Sequence, residues 1–284
     1  MNNKPQILLT NDDGIRSPGL WAAAAALSKI GFVHVAAPRD QYSGAGRSMP
    51  STSDGTIEPR SVTVNGKEWT VYSVGGAPAQ TVLHAVIEIL PSCPDLVVSG
   101  INYGENVGSG VTISGTVGAA MEAAALGAKA IAISLETELE HHLSYSEEVD
   151  FTAAAHFAAY FGRLLLEKHM PADVDVLKVE VPSDASFDTP WEVTRLSRRR
   201  YFDPVDPQRE SWEQPGWIGY RLAGGLDQDR SDTDIYALRQ KRVVSVTPLS
   251  LDLTSRVDLG ELESLLRKGE GQGVGERGEG LGAK

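Results

Sequence analysis

The sequence has almost no cysteine. Cys93 is the only one in 284 residues, so the chain can form neither an internal disulfide framework nor a cysteine metal cluster. Cys93 stands just before an apolar run, and we expect it to be a buried, inert thiol. Any metal site must therefore use other ligands.

Long hydrophobic runs are also absent. No stretch approaches the roughly 18 consecutive apolar residues that a membrane helix needs. The first residues, MNNKPQILLTNDDG, contain no basic leader region and pass directly into a short apolar segment. We therefore expect a cytoplasmic protein without a membrane partner.

Positive charge is scarce. The chain has 26 basic and 38 acidic residues, which gives a net charge of −12. A protein that coats nucleic acid needs a basic surface to displace counterions, so this class is excluded. A small phosphorylated substrate remains compatible, provided that a metal ion or a helix terminus supplies positive charge locally.

Strand and helix signals alternate through the first part of the chain. QILLT, FVHVAAP, DLVVSG and AIAISL are short and bounded by turn residues, which predicts buried strands. PGLWAAAAALSKIG, AQTVLHAVIEIL and GTVGAAMEAAALGA predict helices, and Pro18 and Gly31 mark the ends of the first. The alternation predicts an α/β protein with a doubly wound, mostly parallel sheet covered by helices on both faces.

Other stretches depart from this pattern. Asn65-Gly66 joins two alternating runs and predicts a β-hairpin. After Pro182, proline, tryptophan and charge become dense, which favours hairpins and a long loop. We predict an α/β core at 1–186, a hairpin and loop extension at 187–240, a return segment packing on the core at 241–267, and a disordered glycine-rich tail at 268–284.

The first candidate site follows the strand QILLT. The segment Asn11-Asp12-Asp13-Gly14 places two adjacent carboxylates directly after it. Ligands of open parallel sheets bind beyond the carboxyl ends of the strands, and magnesium usually takes one or two carboxylates. The same residue types are favoured in an Asx turn or a helix N-cap, so the local pattern leaves both interpretations open.

Two further loops carry small and oxygen-bearing residues. The segment Ser43–Ser48 follows the second strand, where its glycines and hydroxyls suit an anion or a metal, although it is also typical of a flexible loop. Asn102 follows DLVVSG and offers an amide oxygen to the same metal. Ser114-Gly115-Thr116 opens the alanine-rich helix, either as an ordinary N-cap or as an anion site.

These three loops follow three strands of one predicted parallel sheet, so we expect them to converge on one edge. The joint pattern predicts a metal site with oxygen ligands that serves a phosphate. The loops contain no Gly-Lys-Ser/Thr ending of a P-loop, and no GxGxxG dinucleotide fingerprint fits them.

Five segments span about residues 7–255: ILLTNDDGIRSPG, APRDQYSGAGRS, DLVVSGINYGENVG, SGTVGAAMEAAALGAKAIAISL and SDTDIYALRQKRVVSVTPLSLDLT. In this order they resemble the signature segments of the SurE family. The resemblance implies a Rossmann-like α/β domain with a hairpin-bearing C-terminal extension that is exchanged between subunits of a homodimer or homotetramer. It also implies hydrolysis of nucleoside monophosphates by a 5′-nucleotidase, with 3′-phosphates as a second class to consider. One divalent ion per subunit, manganese or magnesium, is implied as the cofactor.

The resemblance further implies roles for particular residues. The implied metal ligands are Asp12, Asp13, Ser43 and Asn102, of which Asp12, Asp13 and Asn102 are the catalytic candidates. The implied substrate and phosphate positions are Asn11, Gly44, Ser48, Asn106, Ser114, Gly115 and Thr116. The chain departs from the family pattern at Ile113, where tyrosine is frequent, and at LKVEVP, where the family typically has NVNVP. Neither departure falls on a proposed ligand.

Two other functions stay open at this point. A phosphatase of the haloacid-dehalogenase kind places its nucleophile and acid two residues apart, whereas Asp12 and Asp13 are adjacent. A nucleotide-binding or scaffolding protein would keep the fold without turnover, although all the proposed ligands are present. The histidines add no motif: we expect His34 and His84 to be packing residues and His141-His142 to lie in a solvated loop.

Overall fold

A nine-stranded sheet forms the centre of the computed structural model, which describes residues 4–142 and 144–268. The strands are β1 Gln6–Thr10, β2 Phe32–Pro38, β3 Ile57–Val64, β4 Lys67–Val74, β5 Leu96–Tyr103, β6 Lys129–Leu135, β7 Val176–Val181, β8 Trp191–Val193, β9 Phe202–Val205, β10 Gly219–Leu222 and β11 Val244–Leu249. The helices are α1 Pro18–Leu27, α2 Pro78–His84, α3 Gly115–Ala125, α4 Thr152–Glu167, α5 Asp234–Tyr236 and α6 Leu259–Lys268.

The sheet is mixed but mostly parallel. Its strand order is β3-β4-β2-β1-β5-β6-β7-β11-β8, and only the β3–β4 and β7–β11 pairs of this sheet are antiparallel. The chain moves outward from β1 to β2 on one side and returns to β5 on the other, so β1 lies at the switch point. The predicted doubly wound α/β fold is confirmed.

Helices cover both faces of the sheet because successive residues of a strand point to opposite sides. Ile7 and Leu9 of β1 pack into a core with α1 and α4, which contribute Leu20 and Phe157. Leu8 lies in a second core on the other face, with residues of α2 and α3. β1 is therefore buried on both faces, which explains its continuous apolar sequence.

Local signals in the sequence fix several element ends. Asn65 and Gly66 both adopt positive φ, 51° and 73°, and join β3 to β4 as a two-residue hairpin turn. Pro18 opens α1, and α3 ends before Gly127, whose φ is 88°. The predicted helix AQTVLHAVIEIL differs in one respect, since α2 continues as a π-helical turn over Ala85–Ile89.

The later part of the chain adds strands at one edge and a separate hairpin. β11 lies between β7 and β8 in the main sheet, and β9 pairs with β10 in a two-stranded antiparallel sheet. From Asp252 the chain belongs to a second compact unit, in which the Asp258 carboxylate caps α6 by accepting from Glu261 N. Of the glycine-rich tail predicted to be disordered at 268–284, Lys268 is the last residue of α6 and 269–284 lie outside the described residues. The four predicted regions stay predictions.

One expectation about burial is wrong. Cys93 is exposed, because it lies in the connection that precedes β5 and not in the strand itself. In the described part of the chain, no helix is both long and apolar enough to cross a membrane.

A buried carboxylate ties β6 to the last part of the first unit. Glu136 Oε1 accepts from Arg239 at 2.9 Å, and its Oε2 contacts Arg242 at 2.7 Å and accepts from Ser183 N at 3.0 Å. Burial would raise the pKa of Glu136, but the hydrogen bonds from Arg242 and Ser183 outweigh it and lower the pKa. Glu136 therefore links three chain segments through charge-assisted hydrogen bonds.

Replacing Glu136 by glutamine should lower the free energy of unfolding by about 1–2 kcal/mol at pH 7, because Arg239 and Arg242 lose the negative charge of their partner. The loss is modest because water around the partly exposed arginines already weakens both ion pairs. A lowered folded-state pKa stabilises the protein above the unfolded pKa of about 4.5, and this contribution is lost as pH falls through the folded-state pKa. Chemical denaturation at pH 7 and pH 3 measures both effects. The matched control is Glu138→Gln at an exposed position. A loss of unfolding free energy in Glu136→Gln that is as large at pH 3 as at pH 7 would contradict this explanation.

Candidate active site

The switch point of the sheet carries the segment Asn11-Asp12-Asp13-Gly14 at the carboxyl end of β1. Asn11 closes this turn, since its Nδ2 donates to Gly14 O at 3.1 Å and its Oδ1 accepts from Gly14 N at 3.1 Å. Gly14 has a φ of 95°, a conformation that glycine adopts readily. The side chain of Asn11 is thus used within the turn, and the turn fixes the backbone of the two aspartates.

Asp12 and Asp13 are both buried, with exposed fractions of 5% and 1%. Burial raises the pKa of Asp12, against the opposing effect of the Thr116 hydroxyl and the N–H groups of Thr116 and Gly115. Burial raises the pKa of Asp13 well above its usual value, and the neighbouring charge of Asp12 raises it further. Ionising both adjacent carboxylates at this buried place therefore costs free energy unless a positive charge is added.

The start of α3 lies directly against Asp12. The Thr116 hydroxyl donates to Asp12 Oδ1, and a Cβ atom placed on Gly115 would come within 2.7 Å of Asp12 Cβ. Ser114 caps the helix by accepting from Val117 N at 3.2 Å. The structure thus brings Ser114, Gly115 and Thr116 together with Asp12, and glycine at 115 permits the close approach.

The end of β5 lies against Asp13. Tyr103 N donates to Asp13 Oδ2 at 3.2 Å. The preceding Asn102 uses its Nδ2 group for Tyr103 O and Gly104 O, at 3.1 and 2.6 Å. None of the hydrogen bonds in the described part of the chain uses the Asn102 amide oxygen, which leaves this atom available as a ligand.

The glycine-rich loop after β2 is held by backbone hydrogen bonds at its two ends and has exposed residues between and after them. Tyr42 N donates to Asp12 O at 2.8 Å, and Gly46 N donates to Ile113 O at 2.9 Å. A Cβ atom on Gly118 of α3 would lie 2.3 Å from Gly46 O, so the loop touches the helix backbone. The exposed positions of the loop include Ser43, Gly44 and Ser48. No hydrogen bond among the described residues joins Ser43 to either aspartate.

Asn106 is anchored from the sheet side. Its backbone N–H donates to Glu180 Oε2 at 2.9 Å, and its Nδ2 donates to Ser134 Oγ at 3.1 Å. Asn106 itself is half-buried. The loop after Asn102 is therefore held by side chains of β6 and β7 while one face of Asn106 reaches solvent.

The donor atoms present suit a hard divalent cation. Asp12 and Asp13 supply carboxylate oxygens, and Asn102 supplies an amide oxygen. None of the lysines or arginines in 4–142 and 144–268 forms an ion pair with either aspartate, so a cation from solution would supply the missing positive charge. Among these residues, no group of three or more His, Cys, Asp or Glu could hold a metal, so a metal ion at this place would need neutral oxygen ligands as well.

Sequence reasoning missed the residues behind Asp13. Gln41 Nε2 donates both to Asp13 Oδ1 at 3.1 Å and to His142 O at 2.9 Å. The expectation that His142 lies in a solvated loop is wrong, because its ring is buried against Gly104 and stacks on Tyr220 of β10, with centroids 5.9 Å apart. No local motif signals this contact, because it joins residues 78 positions apart.

The comparisons with known proteins point to one family. The family model described as Survival protein SurE matches residues 7–203. A protein of Thermococcus gammatolerans named 5′-nucleotidase SurE is 44% identical over 92% of this chain and 96% of its own length. A protein of Methanocaldococcus jannaschii with the same name is 39% identical over 88% of this chain and 93% of its own length.

A solved structure agrees with these relatives. The crystal structure of the SurE protein from Aquifex aeolicus is similar with a TM-score of 0.73 and 33% identity, and the match covers 92% of this chain and 100% of that one. The matched segment 7–203 includes the carboxylate pair, the glycine-rich loop and the start of α3. On these similarities in sequence and structure, the chain belongs to the SurE family.

Proposed function

We propose that this chain is a divalent-metal-dependent 5′-nucleotidase, which hydrolyses nucleoside monophosphates to nucleoside and phosphate. The observation that carries the proposal is the buried pair Asp12 and Asp13 at the switch point of the sheet, next to the start of α3. The names of the Thermococcus and Methanocaldococcus relatives support the substrate class. The cytoplasmic location expected from the sequence stays a prediction.

One divalent ion, manganese or magnesium, would be held by Asp12, Asp13 and Asn102, with Ser43 as a further ligand. When bound, the ion supplies positive charge to the phosphoryl oxygens and lowers the pKa of water near them. The protein's part is to keep both carboxylates in place before the ion arrives. The hydrogen bonds from Thr116 to Asp12 and from Tyr103 N to Asp13 do this.

Hydrolysis adds water across the bond between phosphorus and the ester oxygen, and the leaving oxygen takes up a proton. The first turn of α3 supplies N–H groups and the positive end of its dipole beside Asp12, where the phosphoryl group would lie. Ser114 and Asn106 offer polar groups for its oxygens as negative charge shifts toward the leaving group, while Thr116 holds Asp12 beside them. The glycine-rich loop with Ser43–Ser48 is joined to Ile113 O through Gly46 N, and its glycines would let the backbone approach the substrate closely.

Replacing Asp12 by asparagine should lower hydrolysis of nucleoside monophosphates at least about a hundredfold, because a carboxylate ligand of the ion is lost. The thermal unfolding midpoint in chelator should be unchanged or higher, since the substitution removes one of two buried like charges. Kinetic assays with added manganese and thermal denaturation in chelator measure the two effects.

Asp188→Asn is the matched control, since Asp188 is an exposed aspartate in the part of the chain that follows β7. This control should keep both activity and stability. Turnover equal to wild type in a folded Asp12→Asn protein would remove Asp12 from the proposed ligand set.

We also propose that the extension assembles the protein into a homodimer or homotetramer by exchange between subunits. The connection between β9 and β10 exposes Trp212 and Trp217 by 90% and 92%, and Ile218 beside them is exposed too. Clusters of exposed large apolar side chains mark interaction surfaces in soluble proteins. A second copy of the chain is the partner that the family resemblance implies.

The intact protein should sediment as a dimer or larger at micromolar concentration, because assembly removes these tryptophans from water. The Trp212→Ser/Trp217→Ser variant should shift the distribution toward monomers. Phe32→Ser is the matched control, since Phe32 is exposed at the start of β2 and not on the hairpin. Sedimentation velocity distinguishes the species. A monodisperse monomer of the intact protein would exclude subunit exchange.

A further inference from the structure

A second group of buried charges lies outside the aspartate pair. Lys178 and Glu180 on β7 and Asp234 at the start of α5 are all fully buried. Lys178 Nζ lies 3.1 Å from Asp234 Oδ2 and 3.4 Å from Glu180 Oε1. We call these three residues the buried triad. Hydrolysis as described above uses none of them.

Lys178 makes this arrangement possible. Burial alone would lower the pKa of Lys178, but the attraction of Glu180 and Asp234 outweighs it and raises the pKa. The ammonium group lies between Glu180 and Asp234, whose carboxylates would otherwise repel each other. A buried charge whose partner is removed is strongly destabilising, so the three side chains depend on one another.

Both carboxylates bind the loop that follows Asn102. Glu180 Oε2 accepts from Asn106 N at 2.9 Å, and Asp234 Oδ2 accepts from Gly108 N at 3.0 Å. Ser134 Oγ accepts from Asn106 Nδ2 at 3.1 Å and is itself 3.4 Å from Glu180 Oε1. The triad thus fixes two backbone N–H groups of the loop and, through Ser134, the side chain of Asn106.

The extension holds the other side of the same loop. Asp234 Oδ1 accepts from Ser197 N at 2.9 Å, while Ser109 N donates to Arg199 O at 2.8 Å. A Cβ atom on Gly108 would lie 2.5 Å from Arg199 O, so the two backbones are in direct contact. Asp234 therefore connects the loop to the segment 197–199 as well as to β7.

We propose that Lys178, Glu180 and Asp234 are positioning residues that set the Asn106–Gly108 loop for the phosphoryl group of the substrate. This inference rests on the proposed function, in which Asn106 lies beside that group. Rate enhancement by positioning is sensitive to small displacements, so a loosened loop lowers turnover although no group that touches the substrate has changed.

Two variants separate positioning from a merely structural role. Lys178→Met keeps the side-chain length but leaves Glu180 and Asp234 facing each other without a cation. Lys178→Met/Glu180→Gln removes one carboxylate as well, while the glutamine oxygen can still accept from Asn106 N. Asp234 then keeps three backbone N–H donors, those of Gly108, Ser197 and Ile235. The double variant should therefore have a higher kcat and a better ordered Asn106–Gly108 loop than Lys178→Met.

We expect Lys178→Met to lower kcat about tenfold or more, measured well below its unfolding temperature, with the double variant within about threefold of wild type. Amide hydrogen exchange in peptides covering 104–110 should accelerate by about tenfold or more in Lys178→Met and return toward wild type in the double variant. Peptides from α4 report global unfolding and should not change. Lys241→Met is the matched control, since it removes a lysine paired with Glu192 on the exposed surface.

The outcomes separate this inference from the proposed function. Should wild type hydrolyse no nucleoside monophosphate with manganese present, the proposed function fails, and exchange at 104–110 still decides whether the triad sets the loop. Should Lys178→Met fail to fold, a folded and active double variant supports the inference. A double variant no better than Lys178→Met, or a Lys178→Met protein with wild-type exchange and kcat, overturns it.

Discussion

Two adjacent buried carboxylates, Asp12 and Asp13, are the constraint on which the rest of the site depends. β1 is buried on both faces and ends at the switch point of the sheet, so it delivers both side chains into the interior. Their burial and mutual repulsion oppose ionisation, and the surrounding polar groups offset only part of that cost. The turn closed by Asn11, the start of α3 and the end of β5 hold the pair where an external cation can complete it.

Buried carboxylates occur at two places in the interior, and their negative charge is compensated differently at each. In the buried triad, the chain provides its own cation, since Lys178 lies between Glu180 and Asp234. At Asp12 and Asp13, no lysine or arginine of the described residues plays that part, and in the proposed function a divalent ion would supply the positive charge. The buried triad needs no external ion to hold the Asn106–Gly108 loop. Asp12 and Asp13 have no cationic side chain between them, so their oxygens can serve as ligands of an ion.

Much of the fold follows from local sequence signals, and the rest depends on distant contacts. Strand and helix periodicity, together with the Asn65-Gly66 turn, predicts the α/β sheet because each signal acts within a few residues. The Asn-Asp-Asp turn could be located because parallel strands bring their carboxyl ends to one edge. His142 on Tyr220 and Lys178 on Asp234 could not be predicted, since each contact joins residues more than fifty positions apart. Thr116 was expected to bind phosphate, and its hydroxyl donates to Asp12 in this structure.

In the proposed function, a divalent ion, more than the protein's own groups, binds the phosphate of the substrate. A helix N-terminus contributes about half a unit charge, whereas a divalent ion contributes two before its ligands neutralise it. Calorimetric titration of inorganic phosphate into the protein, with manganese and then with chelator, tests this most directly. We predict that removing the ion weakens phosphate binding by more than about tenfold, and by more than Thr116→Ala does in the presence of manganese. Equal phosphate affinity of the metal-loaded and metal-free protein would contradict the account.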